Sequence, residues 1–336
     1  VTCNFAQLRR IELSNNILEE AVTMNRSVLA ACAALGMAAA AVVPGQAVAS
    51  GRSASAACVV KVGSVTAGGD VLRKLVWATS PLTVTNQDGS SGDLNVFPDG
   101  QVRLSGSMVV SPDAPEGYGG SVTGWQIMGS SMYNTGYDLF GSGAVDPTTV
   151  HHALVGGGWG DFTAFDTTRA YSTAGGGSET RHQYALRSDG VLFRWEAGRA
   201  GEWSNKQSAP GFSSVKSMAL ISQTTTYETF LANTRGGALY TIRVPLSPPL
   251  KPIVKKVRAS TWQAFDSLVT GQCGQYGVVL LGIDKDTRSA YLYAVGHANG
   301  TATVIQGLGK VPATFADPVY FRSSLIPGSE PQPFGE

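Results

Sequence analysis

Seven side chains offer chemistry of one kind. Trp159 is followed by Asp161, Trp203 by Asn205, and Trp262 by Gln263 and Asp266. A sugar presents apolar C–H faces and a rim of hydroxyls. A site for it needs an aromatic plate beside planar polar groups that hydrogen-bond in fixed directions. Each of the three groups supplies both parts, and several weak sites add up to avidity on a multivalent surface. Every one of these residues also has a plainer use. A Trp at the start of a repeat can wedge between two sheets. Asp161 and Asp266 can satisfy loop N–H groups at turns.

Enzyme chemistry finds less to work with. The histidines are His151, His152, His182 and His297. A G-x-S-x-G nucleophile elbow is missing from the sequence. His151 and His152 are adjacent on an expected strand, so they point to opposite faces and make poor joint metal ligands. His182, with Arg181 and Glu179, reads as an exposed polar loop. Ser188-Asp189-Gly190 is only a fragment of a sialidase box. A glycoside hydrolase using paired carboxylates stays open as an alternative, because their facing across a cleft is not written in sequence. Asp284-Lys285-Asp286 lacks the later Gly and Glu of an EF-hand and reads as a hairpin turn. Catalytic residues, metal ligands and cofactors are therefore not expected.

The composition sets the frame for these side chains. Charged residues make up 15% of 336 and the net charge is +1. That excludes the basic footprint of a nucleic-acid binder. The run with Lys251, Lys255, Lys256 and Arg258 reads as a solvated strand edge, where Lys discourages edge-to-edge pairing. With 41 Gly and few stretches of helical period, the chain reads as all-β.

Residues 24–49 have the anatomy of a secretory signal peptide. Met24-Asn25-Arg26 is the positive start, Val28 to Val43 the apolar region, and Ala47-Val48-Ala49 the small-residue cleavage site. Cleavage after Ala56 fits as well. Residues 1–23 then read as an over-extended start, the alternative being a long genuine leader. The apolar run read as a membrane anchor is a further alternative. Leu29-Ala30-Ala31-Cys32 resembles a lipobox but sits too close to Met24. The product is expected to be secreted, with no membrane span after signal removal. Cys58 and Cys273 then remain, an even number in an oxidising compartment. They are expected to pair, closing a loop worth about 4–5 kcal/mol in the chain-entropy model. The alternative is two buried free thiols.

The stretch from Tyr184 to Gly198 shows what positions the seven residues. An aromatic and apolar run enters, turns at Asp189-Gly190 and leaves through Leu192, Phe193 and Trp195, the pattern of a tight hairpin. Similar hairpins are expected at Asp99-Gly100, Gly141-Ser142-Gly143, Gly236-Gly237 and Asp286-Thr287-Arg288. Their pitch is about 43 to 50 residues, close to one propeller blade. Between them runs a second landmark, a small residue followed by an aromatic and then an apolar strand. It begins at Trp159, Phe212, Trp262 and Phe315, with Trp125 as an earlier copy. Residues 57–326 are thus expected to form a β-propeller of about five four-stranded antiparallel blades, with six as the alternative. The ends, 57–67 and 311–326, are expected to pair and close the ring or build a sixth blade. Residues 327–336 read as a disordered tail.

From Val155 to Ser267 these repeats resemble those of tachylectin-like β-propeller lectins. The shared marks are the blade-length period, the hairpin leaving through Leu-Tyr or Leu-Phe, and a Gly-Trp with Phe or an apolar residue three positions on. The leader resembles those of high-GC Gram-positive bacteria, where similar propeller lectins occur alone and as lectin subunits of umbrella-shaped toxin particles. The resemblance implies non-enzymatic recognition of cell-surface glycans through repeated weak sites. Its alternative is a propeller that docks a partner protein in a secreted toxin-type complex.

Overall fold

The computed structural model describes residues 57–87, 92–172, 178–198, 201–325 and 332–336. The expected leader, residues 1–49, lies outside them. The described chain is all-β and carries no α-helix. No helix among the described residues is long and apolar enough to cross a membrane.

Three sheets are four-stranded antiparallel meanders. Before them come β1 (Val59–Val65), β2 (Val71–Trp77), β3 (Thr83–Asn86), β4 (Val102–Ser105), β5 (Met108–Ser111), β6 (Tyr118–Met128), β7 (Ser131–Phe140) and β8 (His151–Gly157). The first meander is β9 (Phe162–Ser172), β10 (Ser178–Arg187), β11 (Leu192–Ala197) and β12 (Trp203–Ala209). The second is β13 (Val215–Gln223), β14 (Tyr227–Thr234), β15 (Leu239–Pro245) and β16 (Ile253–Arg258). The third is β17 (Ser267–Cys273), β18 (Gly277–Asp284), β19 (Ser289–Val295) and β20 (Ile305–Lys310). Strands β1 to β8 join β21 (Val319–Leu325) in a nine-stranded sheet of order β3-β2-β1-β21-β5-β6-β7-β8, with β4 beside β6. The two ends of the described chain therefore meet as expected: β21 runs antiparallel to β1, pairing Val62 with Arg322 and Val65 with Val319. It also runs parallel to β5.

Strands β13 and β14 are buried almost throughout because they are covered on both faces. Outer strands such as β16, with Lys255 and Lys256 exposed, are polar edges. Five apolar clusters fill the spaces between the sheets and between the two ends of the nine-stranded sheet. One joins Tyr184 and Leu186 to Leu220 and Phe230, the next Ile221 and Leu231 to Trp262 and Leu280. The others join Val279 and Leu281 to Val60 and Val62, Val65 and Phe321 to Val122 and Tyr137, and Ile127 and Met132 to Phe165 and Phe193. The first strands of the meanders, β9, β13 and β17, lie side by side in that order; β17 also neighbours β21, and β4 neighbours both β21 and β9.

One main-chain bond recurs at five places. The turn carbonyl of one hairpin accepts the N–H of the aromatic that opens the next repeat: Gly69 from Phe97, Ser130 from Trp159, Gly190 from Phe212, Gly237 from Trp262 and Arg288 from Phe315, at 2.9 to 3.0 Å. All five aromatics are buried. The expected turn at Asp189-Gly190 is the third of these, with Gly190 at φ +87° and Asp189 Oδ1 accepting the Val191 N–H.

The expected repeats before residue 150 need correction. Residues 94–97 form no strand; Phe97 is a buried wedge, and the turn at Asp99-Gly100 only leads into β4. The hairpin of this part turns between β6 and β7 at Gly129-Ser130, and Gly141-Ser142-Gly143 leads to β8. The repeats here are roughly 60 residues long, so a fixed pitch near 47 slid out of register.

Cys58, just before β1, is disulfide-bonded to Cys273 at the end of β17, with Cα atoms 5.2 Å apart. The tail expectation is corrected at its end. Residues 327–331 lie outside the described residues, but 332–336 are bound: Pro333 O accepts from Gln223 N, Gly335 N donates to Ile221 O, and Thr229 Oγ1 donates to Glu336 Oε2 at 2.6 Å. A short segment that satisfies both its backbone and a carboxylate does not stay free.

His182 is also corrected. It lies on β10, not in a loop, and is 5% exposed. Its Nδ1 is 3.1 Å from Glu228 Oε1 on β14, and Tyr184 OH donates to Glu228 Oε2 at 2.5 Å. Arg194 spans the same interface, donating to the Pro245 and Leu246 carbonyls. A comparable buried set occurs where Arg73 pairs with Asp93 at 2.7 Å and Tyr137 OH donates to the same carboxylate at 2.6 Å. Buried charges are tolerated because each is paired and hydrogen-bonded.

Candidate ligand-binding cleft

A cleft of about 850 Å³ lies between β5–β8 and the β9–β12 sheet. Strand pairing builds its walls. Trp125 on β6 stands opposite Asn134 on β7, which stands opposite Ala153 on β8. Directly opposed residues share a face, so the three make one row on the cleft wall. On the other wall Thr167 stands opposite Gln183, and Arg169 opposite Arg181, across β9 and β10. Trp203 opens β12 and closes the cleft against Trp125, ring centroids 5.1 Å apart and planes at 60°. Both indoles are half-buried, so part of each ring faces the cleft.

The polar groups are held at different strengths. Glu179 bridges Arg169 and Arg181, the latter at 2.8 Å. Burial pushes the Glu179 carboxyl up, but the two guanidinium groups outweigh it and hold the carboxyl below its ordinary range. Gln183 is 1% exposed, and its carbonyl accepts from Thr167 Oγ1 at 2.8 Å. Its amide nitrogen, the Asn134 side chain and the exposed Glu202 carboxylate have no hydrogen-bond partner among the described residues. The arrangement offers aromatic faces, amides and unoccupied charged groups within one cleft. It has the ingredients of a site for a polar ring-shaped ligand.

The seven residues singled out from sequence separate on folding. Only Trp203 lines the cleft. Trp159 and Trp262 are 8% and 5% exposed and serve as the wedges bonded to Ser130 and Gly237. Neither has a face free to act as a plate, which corrects the expectation for both. Asn205 is parted from Trp203 by a β-bulge in the β11–β12 pairing, and it adopts φ +51°. Its amide donates to Glu196 Oε2 at 2.6 Å. A bulge breaks the alternation that would have put residues 203 and 205 on one face. Asp161 is exposed, and its carbonyl accepts the Ser188 N–H. Gln263 is exposed beside Gly237, and its carbonyl accepts from Lys216 Nζ. Asp266 pairs with Lys216 at 2.8 Å and accepts the Lys285 N–H, next to a cavity of about 140 Å³. Asp266 therefore holds turns together with its carboxylate, in the plainer use foreseen for it, while Asp161 and Gln263 take part through their main-chain carbonyls.

Asn134, Gln183, Arg169, Arg181 and Glu202 were missed. Trp125 was noted, but as a repeat landmark. A signal did exist for Asn134: counting outward from the Gly129-Ser130 turn pairs it with Trp125. The Arg residues meet Trp203 only across non-adjacent strands, where sequence spacing is silent.

No family model and no curated protein matches the chain. Among solved structures, the chain is similar to a Synechocystis apocarotenoid oxygenase carrying a Glu-to-Gln change. The TM-score is 0.35 and the identity 12%, over 75% of this chain and 66% of that one. A cobalt-substituted form of the oxygenase gives 0.34 and 12% over the same shares. The chain thus spans about two thirds of the oxygenase's length. A complex of the fission yeast SREBP and SCAP binding domains gives 0.31 and 8%, over 74% and 76%. At these scores nothing is carried over from those proteins to this chain.

Proposed function

We propose that the chain is a five-bladed β-propeller, secreted, that recognises cell-surface glycans through the cleft lined by Trp125 and Trp203. The blade reading rests on the five wedge bonds, the five inter-sheet clusters and the succession of first strands returning from β21 to β4 and β9. The strand β21 then closes the ring beside β1. Export is supported by the disulfide, a bond that persists in oxidising compartments.

The observation that carries the glycan reading is the pairing of two half-open indoles with the unpartnered amides of Asn134 and Gln183. A sugar ring lays its C–H face on an indole while its hydroxyls meet the amides. Binding is favoured over hydrolysis. Glu179 is held ionised by two arginines and is a poor proton donor. That leaves Glu202 without a second carboxylate among the described lining residues to complete a glycosidase pair.

A glycan array probed with the protein displayed multivalently tests this. Glycan binding that disappears with Trp203→Ala and with Trp125→Ala is expected. Absence of binding to any glycan under multivalent display sinks the reading. Docking of a secreted partner protein is a second reading. It is favoured by Leu154 and Val155, which are 64% and 40% exposed on β8, a strand with a free edge.

A further inference from the structure

We infer that the ligand of this cleft is an acidic sugar, one bearing a carboxylate or sulfate, seated on the wall of Gln183 and Arg181. The inference rests on the glycan reading and adds the chemical class of the ligand. The wall has donors without acceptors. The Gln183 side chain is buried on β10, its carbonyl is taken by Thr167, and its amide N–H groups have no acceptor among the described residues. Arg181 gives one terminal nitrogen to Glu179 and stays partly exposed in the cleft lining, so part of its guanidinium faces the ligand space. An amide N–H and a guanidinium N–H can only donate. The missing partner must therefore bring oxygens that accept.

A neutral sugar hydroxyl can accept, but it also arrives with a proton of its own to place. A carboxylate or sulfate brings acceptors only, and its bonds to a guanidinium are charge-assisted. Glu179 is shared between Arg169 and Arg181, so two guanidiniums face one carboxylate on this wall. Glu202 balances the charge of the cleft as a whole, so the positive excess is local to this wall, which is where an anionic substituent would sit. Glu202, at the start of β12, leaves its acceptor oxygens for the hydroxyls of the same ring, which donate. The two indoles then take the C–H face, and each part of an acidic sugar meets a complementary group.

The test compares three polyvalent displays against the intact protein by biolayer interferometry: galacturonic-acid oligosaccharides, the same oligosaccharides after carboxyl reduction, and sulfated galactose oligosaccharides. Binding of the uronate or the sulfated display, with at least a tenfold loss on carboxyl reduction or desulfation, is expected. Which of the two binds tells the carboxylate from the sulfate. Arg181→Gln should weaken the acidic display at least tenfold, and Arg181→Lys should restore part of it. Because the reduced ligand changes nothing in the protein, the comparison holds even where a variant folds poorly. If neutral glycans bind and carboxyl reduction or desulfation changes nothing, the acidic-sugar inference is overturned while the glycan reading stands. If no glycan of any class binds, both fall together.

Discussion

The N–H of Trp262 donates to the carbonyl of Gly237 at 3.0 Å. Through that bond the aromatic that opens one sheet is fixed on the hairpin turn of the sheet before it. The same bond joins Phe212 to Gly190 and Trp159 to Ser130. It explains how turns and aromatics can be regular in sequence without any of them touching a ligand. The turn must hold its carbonyl outward, and the aromatic must be large enough to fill the wedge behind it. The proposed ligand cleft is lined by other residues.

Gly190 is one turn position where this bond leaves no room for a side chain. Its φ is +87°, and a Cβ there would sit 2.3 Å from the backbone nitrogen of Ser213. A left-handed conformation costs a non-Gly residue roughly 1–2 kcal/mol, and a clash with backbone cannot be relieved by a rotamer. Gly190→Ala is expected to lower stability by more than about 2 kcal/mol. Urea unfolding of the purified protein measures it; a loss below about 0.5 kcal/mol would show that the turn can shift freely.

Two tryptophans that looked alike in sequence should respond in opposite ways. Trp262 packs against Phe265 and Tyr293 in a buried cluster. Trp262→Ala is expected to cost about 3–5 kcal/mol while leaving the cleft unchanged in whatever fraction folds. Trp203 is half-buried, so Trp203→Ala should cost less in stability and abolish glycan binding. Thermal melts alongside array binding separate the two. Equal binding loss in both variants, each measured while folded, would contradict the assignment of the cleft.

Much of the architecture was legible. Asp189-Gly190 and Gly236-Gly237 carry their turn type in their composition, and alternation fixed the strands beside them. The first repeats were misplaced because Leu94, Val96 and Phe97 look like a strand, whereas Val96 and Phe97 are buried as a wedge and Leu94 is exposed; the Phe97 bond to Gly69 marks the difference. The site was less legible. Trp159 and Trp262 drew notice for being aromatic and regularly spaced, and it was that regularity that marked them as structural. Asn205 failed for a different reason, since a bulge is invisible to period-2 counting. Arg181 and Gln183 matter only because β10 lies across from β6, a relation set by the stacking of sheets.

The Cys58–Cys273 bond spans 215 residues and joins the start of β1 to the end of β17. A loop of that size is worth about 4–5 kcal/mol in the chain-entropy model, and removing a native disulfide from small secreted domains costs about 2–5 kcal/mol. The double variant Cys58→Ser, Cys273→Ser is expected to unfold at lower urea by a corresponding amount. Intact mass under non-reducing conditions should be two daltons (about 2 Da) below that of the reduced chain. A protein that carries two free thiols, or one whose urea midpoint is unmoved by the double substitution, contradicts the bond's stabilising role.

Glu179 gives the cleft a dependence on acid. Burial raises its carboxyl, but Arg181 and Arg169 dominate and leave it below the ordinary glutamate value. A carboxylate whose folded-state value is depressed adds stability that is fully present above its unfolded value, about 4.3, and is lost as pH falls through the folded one. Neutral and mildly alkaline solutions should therefore leave this contribution intact. As pH falls through that lowered folded value the bridge protonates, and Arg169 and Arg181 are left facing each other across β9 and β10, so the cleft wall should loosen. Urea midpoints of the wild type and Glu179→Gln, measured from pH 7 down to pH 3, should differ most at pH 7 and converge toward pH 3. A difference that stays constant over that range would show that the Glu179 charge does not hold the two arginines in place.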